Sequence, residues 1–406
     1  METNWKRNMY IFLSSQAISI FGSSLVQYAI TWYITLSTNS GAYATLSIIC
    51  SALPILLLSP FSGVWADRYD KKKLINFADG GIALCTLLVA ILYLSGYKAL
   101  WLLLAASCLR AFGSAVQSPS VSAMLPLIVP ASELTRVNGI NGSVQSLITL
   151  LSPMLSGFLL GFASIEFIFF IDVVTAVLAI LVMVVFLRIP KEEKQQTEKP
   201  SALRELKEGF SYIKKERYLI SFFFFFTLFL VAACPAAFLT PLQVSRAYGG
   251  EVWRLSAIEM TFSGGMMLGG VLIAVWGGFK NRIRTIGLAG LVMGVCTLLL
   301  GAGVPFPIYL IAMSLFGFAM PFFNTPAIVL LQENVAPYIM GRIFSVMDMV
   351  RSSLMPLAIL FYGPMADVIP IEWLLLGTGV LLLLVSLGFS LNQPLLQVGK
   401  TKEEHA

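Results

Sequence analysis

Apolar residues run through this chain in stretches of about twenty, separated by short polar breaks. Twelve stretches can be marked, at 9–36, 42–66, 74–95, 98–127, 134–163, 165–188, 218–246, 253–277, 285–303, 306–332, 340–366 and 371–392. A helix rising 1.5 Å per residue needs about 20 residues to cross ~30 Å of hydrocarbon. The two-residue alternation of a lipid-facing β-barrel strand is absent. The pattern therefore predicts an all-α polytopic membrane protein. The first stretch begins after only Lys6 and Arg7 and is too long for a signal-peptide core. No small-x-small cleavage site follows it, so it reads as a retained helix.

Composition agrees. Of 406 residues, 57% are hydrophobic and 12% charged, with a mean hydropathy of +0.84; soluble domains carry about 25% charged residues. The five cysteines, Cys50, Cys85, Cys108, Cys234 and Cys296, all fall inside apolar runs without metal-type spacing, and read as small buried hydrophobes. His405, the one histidine, lies in the polar tail, away from any ligand or base role.

The long polar stretch between the sixth and seventh spans divides the chain. The expected domains are a six-helix bundle at 1–189, a linker at 190–217, a second six-helix bundle at 218–392 and a tail at 393–406. Within the linker, Ser201 is placed to cap a short amphipathic helix with Leu203, Leu206 and Phe210 on one side. If both ends of the chain face the cytosol, 22 of the 27 Lys and Arg lie on that side. Only Lys98, Arg246 and Arg254 lie opposite, and Arg110 and Arg351 fall within spans. That imbalance is the positive-inside rule. It accounts for the basic balance, a net charge of +6, without a nucleic-acid partner.

A shift of 207 residues carries Pro119 onto Pro326, Pro130 onto Pro337, and Gly63-Val64 onto Gly270-Val271. The halves thus read as a parallel duplication, related by a pseudo-two-fold along the membrane normal. Between the second and third spans stands GVWADRYDKKKL, with Gly63, Asp67, Arg68, Lys71 and Lys72 in the spacing Gly-x-x-x-Asp-Arg-x-x-Lys-Lys. With twelve spans in six-plus-six, this resembles the major facilitator superfamily, whose signature occupies the loop after the second helix. In the second copy Ala274 replaces the acid. The resemblance implies a conformational gate: Gly63 allows close helix approach, and Asp67 would accept hydrogen bonds near Gly341 and Arg342 at the start of the eleventh helix. The plainer reading is that these cations only fix topology.

Further segments are similar to the macrolide-efflux, drug:proton antiporter branch: NWKRNMYIFLSSQAISIFGSSLVQYAITWYIT, LPILLLSPFSGVWADR, AIEMTFSGGMMLGG and GRIFSVMDMV. The fifth span offers Gly139, Ser152-Pro153 and Ser156-Gly157 against that group's glycine-rich antiporter stretch. Serine stands for two of its glycines and Ile148 for a third. The resemblance implies a monomeric plasma-membrane exporter in a bacterium, driven by the proton-motive force and needing no cofactor or metal. Its substrate would be a bulky hydrophobic or amphiphilic small molecule. Export of an endogenous siderophore or lipid-like compound, or import of a nutrient, stays open, as does a sensor role. HExxH, GxSxG and P-loop patterns are missing, which argues against an enzyme and against ATP as the energy source.

Ionisable groups inside apolar spans are functional candidates by default. Glu259 is the leading one, as a proton carrier or a cationic-substrate site, unless it reaches the outer headgroups. Asp172, Asp348 and Arg110 are further coupling candidates. Asp348 and Arg351, three apart on one helical face, read as an ion pair, and Asp79 reads as a local cap or partner. By the resemblance, spans 1, 4, 7 and 10 line the substrate path. They offer Gln16, Ser23, Gln27 and Trp32, then Phe238 and Gln243, then Phe322 and Asn324, each with packing as its plainer role.

Overall fold

The computed structural model describes residues 2–130, 133–187 and 202–399. The side chains of 2–4, 59, 60, 63, 64, 67, 68, 135, 202–207, 337 and 338 stay outside that description. Ser201, most of the expected linker before it and residues 400–406 therefore lie outside the described residues. The elements are all helical: α1 (Glu2–Thr38), α2 (Gly41–Arg68), α3 (Lys71–Leu94), α4 (Leu100–Ile128), α5 (Leu134–Phe162), α6 (Ile165–Phe186), α7 (Ala202–Ile213), α8 (Arg217–Phe238), α9 (Thr240–Ala247), α10 (Val252–Trp276), α11 (Arg282–Gly301), α12 (Phe306–Asn334), α13 (Pro337–Val368), α14 (Ile371–Leu391) and α15 (Gln393–Val398). Twelve spans among the described residues are long and apolar enough to cross a membrane. Their side chains fit that solvent, since large apolar groups such as Phe77, Val275 and Val368 are about four-fifths exposed.

Two local features differ from the sequence reading or sharpen it. The signature acid was expected in a loop, but α2 continues to Arg68, so Gly63 and Asp67 are helical and only Tyr69 and Asp70 separate α2 from α3. The Tyr69 N–H still reaches the Trp65 carbonyl at 2.9 Å. The break comes where Asp70 turns extended and its carboxylate accepts the Lys73 N–H at 3.1 Å, capping α3. The seventh span is broken into α8 and α9, because Pro241 lacks the N–H that a continuous helix would use and fits the first turn of a new one.

Contacts divide the chain into two units. One comprises Met1–Thr38, Leu46–Thr197 and Glu251–Ser256; the other comprises Asn39–Thr45, Glu198–Gly250 and Ala257–Ala406. In the first unit α1 packs on α6 and α5, and α3 on α4 and α6. Its interior has two apolar layers. One is centred on Phe12 of α1, Ile75 of α3, Met124 of α4 and Met183 of α6. The other is centred on Ile30, Tyr93, Leu103 and Phe169 of the same four helices.

In the second unit α11 packs on α12 and α14, and α8 on α13 and α14. Small residues set the closest approaches. A Cβ on Gly290 would meet the Ser386 hydroxyl at 2.2 Å, and one on Gly294 the Leu383 side chain at 2.7 Å. Aromatic stacking fills the centre: Phe226 and Phe229 of α8 both stack on Phe323 of α12, with centroids 6.1 and 3.8 Å away.

Helices α10 and α12 meet backbone to backbone through Gly265 and Gly269, a GxxxG pair. Added Cβ atoms there would lie 2.0 and 2.1 Å from the carbonyl oxygens of Ser314 and Phe318. Gly264, one residue away, has nothing within 4 Å. Gly265→Leu should therefore destabilise the fold by overpacking, about 1–3 kcal/mol, while Gly264→Leu should be neutral. Survival of the monodisperse peak after heating in detergent, read by size-exclusion fluorescence, compares them; equal behaviour would refute this helix contact.

Candidate functional site

Between the two apolar layers of the first unit lies a polar layer built by the same four helices. Three of them contribute pairs one or two turns apart, Ser19 and Ser23 on α1, Asp79 and Thr86 on α3, and Arg110 and Gln117 on α4, and α6 contributes Asp172. Such spacing puts each pair on one helical face. Asp172 is fully buried, Asp79 is 2% exposed and Arg110 4%.

Asp172 is matched from several sides. Its Oδ2 accepts the Arg110 guanidinium, through Nη1, and lies 2.9 Å from the Thr86 hydroxyl; its Oδ1 accepts Ser23 Oγ at 3.1 Å. Arg110 Nη2 donates to the Ser23 carbonyl at 3.0 Å. The approach of α1 to α6 that brings Ser23 there needs Gly22, whose added Cβ would lie 2.0 Å from Thr175 Oγ1. Asp79 is held differently. Its Oδ1 accepts Ser19 Oγ at 2.9 Å and the Gln117 side-chain amide, and its Oδ2 is buried with no donor.

The second unit holds two polar constellations. Arg351 of α13 donates to Asn324 Oδ1 at 3.2 Å and lies over the Phe226 ring at 5.3 Å. At the end of α13, the Asp367 carboxylate accepts the backbone N–H groups of Gly41 and Ala42, at 2.7 and 2.9 Å, and Ser40 Oγ at 2.8 Å. Arg246 closes this clasp, with Nη2 2.7 Å from Asp367 Oδ1 and 2.8 Å from the Asn39 carbonyl. A carboxylate at the start of α2 and a guanidinium on the carboxylate are both favourable there.

Buried, paired charges inside apolar spans mark a functional region, and the family comparison says of what kind. The family model described as Major Facilitator Superfamily matches residues 12–358. The chain belongs to the Major Facilitator Superfamily. It is a multi-pass membrane transporter, a secondary one, and not an enzyme. Macrolide efflux protein A of Streptococcus pyogenes is 29% identical over 388 residues, 95% of each chain. The Staphyloferrin A transporter of Staphylococcus aureus is 24% identical over 365 residues, 88% of this chain and 89% of that one. Among solved structures, a bacterial homologue of the lysosomal transporter Spinster superposes with a TM-score of 0.71 at 12% identity, covering 99% of both chains. The nucleoside transporter NupG gives 0.68 at 16% identity, over 95% of this chain and 99% of its own. At these identities the structures share the fold.

Within this superfamily member, the residues expected to act fall in several places. The α1 stripe turns into the first unit: Gln16 is buried with its amide nitrogen 3.3 Å from Met183 Sδ, and Ser23 serves Asp172. Gln27 is half-buried, with its amide nitrogen 3.5 Å from Thr31 Oγ1. Trp32 is buried, and Gly157 faces it with room for no Cβ; Pro153 is buried one turn earlier in α5, whereas Gly139 is exposed. In the second unit Gln243 is buried with both amide ends occupied, by the Leu300 carbonyl and by the Tyr309 hydroxyl, each at 2.9 Å. Phe238 is half-buried at the end of α8, and Phe322 packs on Phe318 and Trp276. Glu259 is half-buried in α10 with no hydrogen bond or ion pair among the described residues. Lys71 is buried at the start of α3. The side chains of Gly63, Asp67 and Arg68 lie outside the description, and Arg342 pairs with Glu208 of α7 at 2.8 Å.

Two expectations are corrected. Arg351 does not pair with Asp348, which is exposed; the guanidinium turns to Asn324 and Phe226, where it shields its charge among helices rather than along its own surface. Asp79 is no local cap, since both its partners come from other helices. The clasp residues Asp367 and Arg246, and the partners Thr86 and Gln117, were not singled out by sequence. The seven-residue spacings 79–86 and 110–117 were the available signal for the latter two.

Removing one member of a buried ion pair leaves an uncompensated charge, at about 3–5 kcal/mol. Asp172→Asn and Arg110→Gln should each lower stability by that order, and the double variant should lose less than the two together. A thermal-unfolding double-mutant cycle in detergent measures this, and additive losses would show that the two side chains do not interact.

Proposed function

We propose that this transporter is a proton-coupled exporter of macrolide-like or other bulky hydrophobic drugs, working by alternating access in the bacterial plasma membrane with both termini in the cytosol. What carries the reading is the relation to macrolide efflux protein A, which spans 95% of both chains rather than one shared motif. Twelve spans with intramembrane acids suit coupling to an ion gradient. A proton crossing the membrane potential supplies about 2.3 kcal/mol per 100 mV. The positive-inside count supports the orientation.

Glu259 is the proposed carboxyl in the second half for a proton or a basic substrate group: it is half-buried and unpaired, unlike Asp172 with its Arg110. Phe322, Asn324 and Phe238 are the proposed aromatic and polar contacts for a large apolar ligand. The Gly63–Arg68 helix end, Lys71 and Arg342 form the proposed conformational gate, with the small residues and proline of α5, Gly139, Pro153 and Gly157, easing its movement. Likeness to the Staphyloferrin A transporter supports one alternative, export of a siderophore-like endogenous compound.

Expression in an efflux-deficient host should lower retention of radiolabelled erythromycin several-fold. A protonophore should abolish the effect, and Glu259→Gln should restore retention toward the empty-vector level. Unchanged retention across a drug panel, with the protein present in the membrane, would sink the drug reading in favour of the endogenous substrate. Wild-type efflux by Glu259→Gln would remove that residue as carrier.

A further inference from the structure

We propose that Asp79 takes up and releases a proton in the transport cycle, so that the first unit carries an ion site of its own. This rests on the proton-coupled reading above. Two acids share the polar layer of that unit, and their surroundings are unequal. Asp172 is neutralised by Arg110 and receives hydroxyl donors on both oxygens. Asp79 receives only neutral donors, both on Oδ1, and its Oδ2 is buried without any. No lysine or arginine among the described residues pairs with it.

The charged and titratable groups on the helices around it are already engaged or distant. On α4, Arg110 serves Asp172, and Cys108 is half-buried. On α6, besides Asp172, Glu166 pairs with Lys98 at 2.8 Å. On α1, Lys6, Arg7 and Tyr10 lie at least two turns before Ser19. On α3 itself, Lys72 donates to the Leu187 and Val184 carbonyls, at 2.7 and 3.3 Å. Lys71 has contacts of its own at the helix start, Lys73 and Asp70 are exposed, and Cys85 is a half-buried thiol.

An ionised carboxylate in this setting has one oxygen with neither water nor a donor, a desolvation cost of several kcal/mol. A proton on Oδ2 forms an O–H bond, breaks none in the protein and removes the charge. It also turns the orphaned acceptor into a donor. Release returns the pair of electrons to Oδ2 and leaves Ser19 and Gln117 to hold the carboxylate on Oδ1. Two more acceptors nearby lack donors. They are Asn76 Oδ1, one turn before Asp79 on α3, and Gln16 Oε1, one turn before Ser19 on α1. Both helices run in the same direction through the two apolar layers. These oxygens therefore stand on one side of the carboxyl along the helix axes.

The second half shows that the fold does not require this chemistry. The shift of 207 residues that aligns the prolines carries Ser19 to Phe226, Asp79 to Ile286, Thr86 to Met293, Arg110 to Gly317 and Asp172 to Gly379. Helices α12 and α14 keep the bounds that this shift dictates to within two residues and α11 ends where it dictates, with apolar or small residues where α3, α4 and α6 are charged. The charged residues of the polar layer stand in one copy and not at the aligned positions of the other.

The test uses the full-length protein in proteoliposomes, with Glu259→Gln as background so that its carboxyl is silent. Infrared difference spectra between acid and alkaline pH should contain a protonated-carboxyl band that disappears in Asp79→Asn. With a transported drug, wild type should accumulate it uphill under a pH gradient, whereas Asp79→Asn alone should accumulate to a ratio of one and keep drug exchange within about two-fold. A band unchanged by Asp79→Asn, uphill transport that survives it, or uphill transport that follows a sodium gradient at equal pH would each overturn the proposal. Should Asp79→Asn fail to reach the membrane, Gln117→Leu keeps the acid but removes a donor to its ionised form, and the band should persist to higher pH; an unmoved titration overturns the proposal equally. If wild type moves no drug yet the band is present and is lost in Asp79→Asn, the drug reading falls while the ion site stands.

Discussion

Hydrocarbon accepts no hydrogen bonds, so every charge carried into it must bring its partner along. The Arg110–Asp172 pair is where this chain meets that demand most directly, and the packing around it follows. Two helices supply the charges, and two more supply Ser23 and Thr86 to complete them. Gly22 lets α1 come close enough for Ser23 to take part. Apolar layers then seal the group from both ends of the helices, through Phe12 and Met124 on one side and Ile30 and Phe169 on the other. Moving α4 or α6 would strand a charge, and moving α1 or α3 would strip a hydroxyl partner from it, which makes the polar layer the register of the first unit.

The second unit reaches register by another route. Glycines seat α14 side chains on α11 and bring α10 against α12 backbone to backbone, and phenyl rings of α8 interleave with those of α12 and α14. Its guanidinium on α13, Arg351, rests on an amide oxygen and an aromatic face rather than on an acid. Dispersion and close contact do in this half what ion pairing does in the other. A duplicated chain can keep its helix lengths and prolines while the interiors diverge, because the membrane constrains length and apolarity far more tightly than it constrains which groups fill the middle.

That difference also explains what the sequence could and could not reveal. The twelve spans were legible because a run of about twenty apolar residues has one outcome in a bilayer. The end of α2 was misread: charges at 67–68 look like loop residues, yet a helix can continue to the membrane edge and stop only where Asp70 caps the next one. Partner choice was the least legible. Ser19 and Asp79 are 60 positions apart, and Ser23 and Asp172 are 149 apart; a single chain read in order contains no record of such meetings. Their periodicity was visible, but the partner across the layer was not. Arg351 shows the converse failure: spacing offered Asp348 on its own helix, and packing offered something better shielded.

Magnitudes then separate the buried acids by task. Leaving one partner of the Arg110–Asp172 pair uncompensated costs about 3–5 kcal/mol, whereas one proton driven by 100 mV contributes about 2.3 kcal/mol. A cycle that stranded either charge for each proton would need more than that driving force before any substrate moved. An acid without a cation faces no such barrier, and its two protonation states differ only by the donors and desolvation around one carboxyl. In the first unit that description fits Asp79, with Asp172 and Arg110 as the rigid frame beside it. Uneven surroundings within one polar layer thus let a single bundle hold both a permanent strut and a group free to titrate.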